Sequence, residues 1–150
     1  MDVDKEVEFR IKHLEMIQAT IARMNHNSFL VKGWAITLFA AMFAFGVKTT
    51  PATLIAIFPA MMGFWLLDSY YLWIEKQFRA LHIIVAYSTI NITFELAPFE
   101  MDATGLYRAG KIKSETFFKI VRSETVATLY VVLSIVVVLA MFILSRVPGK

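Results

Sequence analysis

From residue 7 to residue 24 apolar side chains recur at every third or fourth position. They are Val7, Ile11, Leu14, Ile17, Ile21 and Met24, with Glu6, Glu8, Lys12, Glu15 and Arg23 mainly elsewhere on the helical wheel. A stripe this narrow marks an amphipathic helix with one face to bury. The pattern then changes from stripe to block. Residues 29–48 are apolar apart from Lys32 and the closing Lys48, and GWAITLFAAMFAFGV within them carries no charge. The tetrapeptide KTTP interrupts the block, and residues 52–73 resume it with Asp68 as the one charged side chain. A third block, residues 125–145, runs 21 residues without a charge. About 20 residues at about 1.5 Å each cross a hydrocarbon core of about 30 Å. The pattern predicts an all-α integral membrane protein with three transmembrane helices, the first two extended into the cytoplasm as long helices.

Between these blocks the reading is more detailed. No proline precedes Pro51, and Gly33 is the only glycine before Gly46. The amphipathic helix of residues 1–28 is therefore predicted to continue into the first span, as one helix over about residues 4–47. Beyond Trp73 nothing breaks the second helix until residues 91–98, and Phe78, Leu81, Ile84, Val85 and Tyr87 or Ser88 supply a further stripe. Residues 80–99 are apolar enough to suggest another span, but Ser88, Thr89, Asn91, Thr93 and Glu95 argue against one. Residues 95–113 hold Pro98, Gly105 and Gly110 and read as a loop with one helical turn at most. Ser114 reads as an N-cap with Glu115 in the first turn of an amphipathic lead-in to the third span. Residues 74–124 thus form a cytoplasmic helix-and-loop connection.

Composition changes the picture little and charge distribution changes it more. The chain is 58% hydrophobic, and its formal net charge of +3 gives no reason to expect a nucleic acid partner. There are no cysteines, hence no disulfide framework and no thiolate chemistry. The early Asp2, Asp4, Glu6 and Glu8 do not fit a cleaved signal peptide. Twelve Lys and Arg, counting Lys32 near the start of the first block, lie on the side of the N-terminus and of the connection between the second and third blocks, against Lys48, Arg146 and Lys150 on the other side. The positive-inside rule then sets the N-terminus and the long connection in the cytoplasm and the C-terminus outside. Trp34, Trp65, Tyr70, Tyr71 and Trp73 fall near the inner boundary, as an aromatic belt would.

Candidate chemistry is sparse. Lys32 lies 18 residues before Thr50 and Asp68 lies 18 after it. Two antiparallel helices of equal rise bring both to one depth, either as a structural charge pair or as part of an inner pore mouth. The same counting sets Asn25 beside Glu75 and Asn27 near Trp73, within a polar band at the inner interface. Pro59 and Gly63 are candidates for a packing kink or a hinge. The stripe Ile11, Leu14, Ile17, Ile21 and Met24 is a candidate oligomer seam. His13, His26 and His82 share no metal-ligand spacing, and Asn91-Ile92-Thr93 is a chance glycosylation match on the cytoplasmic side. Tyr107, Arg108, Lys111 and Lys113 form a basic cluster accounted for by topology and anionic lipid. No catalytic set, cofactor motif or metal site is expected, so an enzyme is disfavoured.

In HLEMIQATIARMNHNSFLVKGWAITLFAAMFAF and FWLLDSYYLWIEKQFRAL, within residues 12–81, the chain resembles small bacterial membrane proteins of SLATT-like layout. The layout is a cytoplasmic helix, a membrane hairpin and a returning cytoplasmic helix. The resemblance implies a bacterial inner-membrane effector of antiphage defence that oligomerises and permeabilises the membrane. A third span after a long connection departs from the plain two-span plan. Two functions follow as expectations. The first is a homo-oligomer that forms an ion-conducting pore. The alternative is a non-conducting membrane scaffold that recruits a soluble cytoplasmic partner through its helices.

Overall fold

The structure, a computed structural model, describes residues 3–44, 55, 57–87 and 99–146. The turn at 48–51, the outer ends of the first two blocks, residues 88–98 with the Asn91 match, and Lys150 lie outside the described residues. Among those described there are five helices and no strand. They are α1 (Val3–Ala44), α2 (Ile57–Tyr87), α3 (Ala103–Arg108), α4 (Phe117–Val121) and α5 (Glu124–Arg146). The all-α class read from the sequence is the class observed.

The 42 residues of α1 run unbroken across residues 27–29, where stripe gives way to block. Its first turn carries Asp4 and Glu6, which suit the positive end of the helix dipole. One turn on, Lys12 Nζ donates to Glu8 Oε1 at 2.6 Å. The Lys12 ammonium, by hydrogen bond and then by charge, holds the Glu8 carboxyl below its ordinary range, and Glu8 raises Lys12 in return.

The chain divides into two units, each drawing on α1 and α2. The first comprises Met1–Asn27 and Tyr71–Thr116. Its core joins Ile17 of α1 to Leu81 and Val85 of α2 and to Ala103, Leu106 and Ile112. Leu14, Ile21, Phe78, Ile84 and Met101 pack around it. Full burial of a large aliphatic side chain such as Ile17 or Leu81 contributes about 1.5–3 kcal/mol. Here α3 caps the two long helices, and its ends are specified locally. Asp102 Oδ1 accepts from the Gly105 N–H at 2.7 Å. At the other end Gly110 takes φ +69°, which glycine adopts without strain. The Gly110 N–H then donates to Tyr107 O and the Lys111 N–H to Leu106 O, a Schellman closure. Residues 95–113 read from sequence as a loop with one helical turn, and within the described part that turn is the capped six-residue helix Ala103–Arg108.

Two further sequence expectations are corrected. The helix after the loop begins at Phe117 and not directly after Ser114. Glu115, read as a first-turn acid, pairs instead with Lys76 on α2. The lead-in also does not run straight into the third span. It ends at Val121, and the Ser123 carbonyl starts α5 by accepting from Val126 and Ala127.

The second unit, Ser28–Tyr70 and Phe117–Lys150, is packed differently. Each long helix buries one thin column: Ser28, Val31, Ala35 and Phe39 on α1; Ile57, Met61, Asp68 and Ser69 on α2; Val126, Tyr130 and Val137 on α5. Beside these columns large apolar side chains stand exposed, among them Phe29, Trp34, Leu66, Ile135, Leu139 and Ile143. Among the described residues one helix, over Glu124–Ile143, is long and apolar enough to cross a membrane. Only 17% of that stretch is buried, whereas the core helix of a water-soluble domain would be mostly covered.

Candidate functional site

Ser28 and Lys32 sit one turn apart on α1, so both side chains share a face, and that face meets α2 at Asp68. Lys32 Nζ donates to Asp68 Oδ1 at 2.6 Å and to Ser28 Oγ at 2.8 Å. Ser28 Oγ in turn donates to the same Asp68 Oδ1 at 2.5 Å. Two donors therefore close on one carboxylate oxygen. The second oxygen, Oδ2, is buried with no hydrogen-bond partner. The Asp68 side chain is 0% exposed, while that of Lys32 is 25% exposed.

This arrangement holds two helices in register. A one-turn slip would part the ammonium from the carboxylate and strand a charge in apolar surroundings, at a cost of several kcal/mol. Asp68 faces its own neighbours within the unit and is absent from the unit's surface. Around the cluster, α5 is fastened by polar contacts of its own. Tyr130 Oη donates to Phe64 O at 3.2 Å, Ser134 reaches Met61 Sδ at 3.7 Å, and the Trp65 ring stacks on Tyr130. Trp65 Nε1 donates to Val121 O at 3.0 Å, which ties α2 to the end of α4. Such hydroxyl and indole contacts are the usual means of fixing helices where the surroundings are apolar.

The other sequence candidates fall as follows. Asn25 is exposed and Asn27 half-buried, while Glu75 is buried and accepts from Arg79 Nε at 2.7 Å. Of the stripe, Ile17 is fully buried, Leu14 and Ile21 pack on the same core, Met24 is half-buried and Ile11 is exposed. Pro59 is the third residue of described α2, and the helix runs unbroken through it and Gly63. At Gly63, as at Gly33, an added Cβ would meet nothing within 4 Å. Among the described residues no three metal-ligating side chains gather.

Sequence reasoning missed a clasp in the first unit. His13 Nε2 donates to the Glu100 carbonyl at 2.8 Å, and the Phe99 ring packs against both Phe9 and His13. Phe99 holds φ +60°, a left-handed conformation that costs a bulky residue about 1–2 kcal/mol. The two ring contacts and the histidine bond offset that strain. His13 lies four residues before Ile17 on the helix, so its position on the buried face was the available signal.

No family model, curated protein or solved structure matches the chain. What the fold and the cluster define is a class: an all-α chain with at least one helix fit to cross a membrane and a buried ion pair that locks two of its helices.

Proposed function

We propose that this is a three-span bacterial inner-membrane protein that serves as a non-conducting anchor. Residues 29–48, 52–73 and 125–145 cross the bilayer, the N-terminus and residues 74–124 lie in the cytoplasm, and the C-terminus lies outside. The cytoplasmic helices present a surface to a soluble partner protein. One observation carries the preference for an anchor: Asp68, the charge that would line a pore, is sealed against Ser28 and Lys32 of its own chain. The stripe offered as an oligomer seam is likewise partly covered by the chain's own α2 and α3 region. Val7, Ile11 and Met16 remain 45–52% exposed on α1 and offer a partner an apolar contact beside charged side chains.

A second reading keeps the resemblance to antiphage effectors: copies of the chain assemble and conduct. The open outer faces at Gly33 and Gly63 favour it, because small residues let membrane helices approach closely. Mass measurement in nanodiscs together with planar-bilayer recording separates the two. A single protomer and a silent bilayer are expected for the anchor. A larger symmetric assembly with discrete conductance steps would overturn it and favour the effector.

A further inference from the structure

The short helix α4 has a division of faces that neither the anchor role nor the ion pair uses. Ile120 is fully buried and Val121 half-buried, and the Val121 carbonyl is held by the Trp65 indole. These contacts fix the turn against its own unit. On the other side Phe118 is 76% exposed, with Lys119 and Arg122 exposed around it. The chain then breaks at Ser123 and enters α5. A large aromatic ring flanked by two cations, one step before a membrane-crossing helix, is poorly suited to water. It suits an interface that is apolar below and negatively charged above.

We infer that residues 117–122 form an interfacial elbow that binds anionic phospholipid headgroups of the inner leaflet. Phe118 enters the acyl boundary, and Lys119 and Arg122 engage the phosphates. The inference rests on the membrane reading proposed above and adds the lipid class that this segment selects. Each basic side chain near an anionic surface is worth about fivefold in the docked-to-free ratio, so the two together give roughly thirtyfold. An aromatic ring at headgroup level adds an anchor that is indifferent to lipid charge.

The chain has no cysteine, so one introduced thiol can be labelled cleanly. Thr116→Cys, at an exposed position beside the elbow, would carry a nitroxide, with Leu139→Cys on the exposed face of α5 as a second site. Both are reconstituted into nanodiscs of phosphatidylcholine alone or with one quarter phosphatidylglycerol. Immersion depth is read from relative accessibility to oxygen and to a water-soluble nickel chelate. The label at 116 should move deeper when phosphatidylglycerol is present, and Lys119→Gln with Arg122→Gln should abolish the difference. Equal depth in both lipids, with the label at 139 deep in both, overturns the elbow and leaves the membrane reading standing. The same equality would be the outcome if the two cations served an acidic protein instead. A label at 139 that is water-accessible in both lipids overturns the membrane reading itself.

Discussion

The two units of this chain are built from the same two long helices and leave different amounts of apolar surface open. In the unit of Met1–Asn27 and Tyr71–Thr116, Leu14, Ile17 and Ile21 of the stripe turn inward to meet Leu81, Val85 and α3. The remaining faces of α1 carry Glu8, Lys12 and Glu15 together with the exposed Val7, Phe9, Ile11 and Met16. In the unit of Ser28–Tyr70 and Phe117–Lys150, Ser28, Asp68 and Ser69 turn inward among apolar neighbours, and large side chains such as Phe29, Leu66, Val132, Ile135 and Phe142 stand outward. Both units bury polar groups, His13, Thr20, Glu75 and Gln77 in the first and Ser28, Asp68 and Ser69 in the second, but the second leaves many more large apolar side chains open. On the proposed membrane reading, this wider apolar exposure reflects a lipid surrounding. Where water surrounds the helices, burial of apolar area drives packing. Where lipid does, that drive is absent, and under the proposed reading Lys32 to Asp68 and Tyr130 to Phe64 are the polar bonds through which the helices associate.

The largest effect that sharpens this contrast is expected at the ion pair. Lys32→Met leaves a carboxylate that is 0% exposed facing only a serine, and should destabilise by about 3–5 kcal/mol. Asp68→Asn should cost less, because the partly exposed Lys32 ammonium can extend toward the interface. The double variant Lys32→Met with Asp68→Asn should lie closer to the parent, with a coupling of about 0.5–3 kcal/mol in a double-mutant cycle. Unfolding in mild detergent followed by circular dichroism reads all three, and additive effects would remove the pair from the account.

A second test sets exposed isoleucines from the two units against each other. Ile135 is 53% exposed on α5 and Ile11 is 51% exposed on α1. Replacing each by Arg changes the same surface by the same side chain. Ile135→Arg should raise the cost of membrane insertion by about 2.5–3.5 kcal/mol. Ile11→Arg should stay within about 0.5 kcal/mol of the parent. Equal tolerance at both positions, measured as membrane-inserted fraction and thermal stability, would erase the difference between the units.

A smaller change is expected at Tyr130. Removing its hydroxyl in Tyr130→Phe leaves the Phe64 carbonyl without that donor and should cost about 0.5–1.5 kcal/mol. A variant as stable as the parent would show that the hydroxyl bond adds nothing to the ring stacking on Trp65 and the Ser134 contact that also seat α5 against α2.

The smallest lies at Glu8 and Lys12. A carboxyl held below its ordinary range stabilises above that range and loses the contribution as pH falls through the lowered value. Both groups lie at the surface, where salt screens them. Lys12→Ala should return the Glu8 titration, followed by NMR, toward the ordinary carboxylate value without moving the melting temperature. An unchanged Glu8 titration would mean that the pair does not persist in solution.

The legible part of this fold was what periodicity and counting can reach. Counting 18 residues to either side of Thr50 pairs Lys32 with Asp68, and the two side chains meet. Periodicity also marks the face of Ile17, but it says nothing of what covers that face. The cover, α3 with Leu106 and the following Ile112, comes from a stretch with almost no apolar period, because a helix of six residues is too short to show one. Its signals were local: Asp102 before it and Gly110 after it. The Ser114 reading failed because a tertiary contact, Glu115 with Lys76, outweighs the local capping preference. The clasp of His13, Phe99 and Glu100 joins residues more than 80 positions apart, which no local pattern encodes.

The claim that the chain crosses the membrane three times, with residues 74–124 inside the cell, has one direct test. With no native cysteine, Lys48→Cys, Lys113→Cys and Lys150→Cys each place a single thiol on one predicted side. A membrane-impermeant maleimide added to intact spheroplasts should label positions 48 and 150 at once, and position 113 only after lysis. Labelling of position 150 only after lysis would contradict the three-span account and require an even number of crossings.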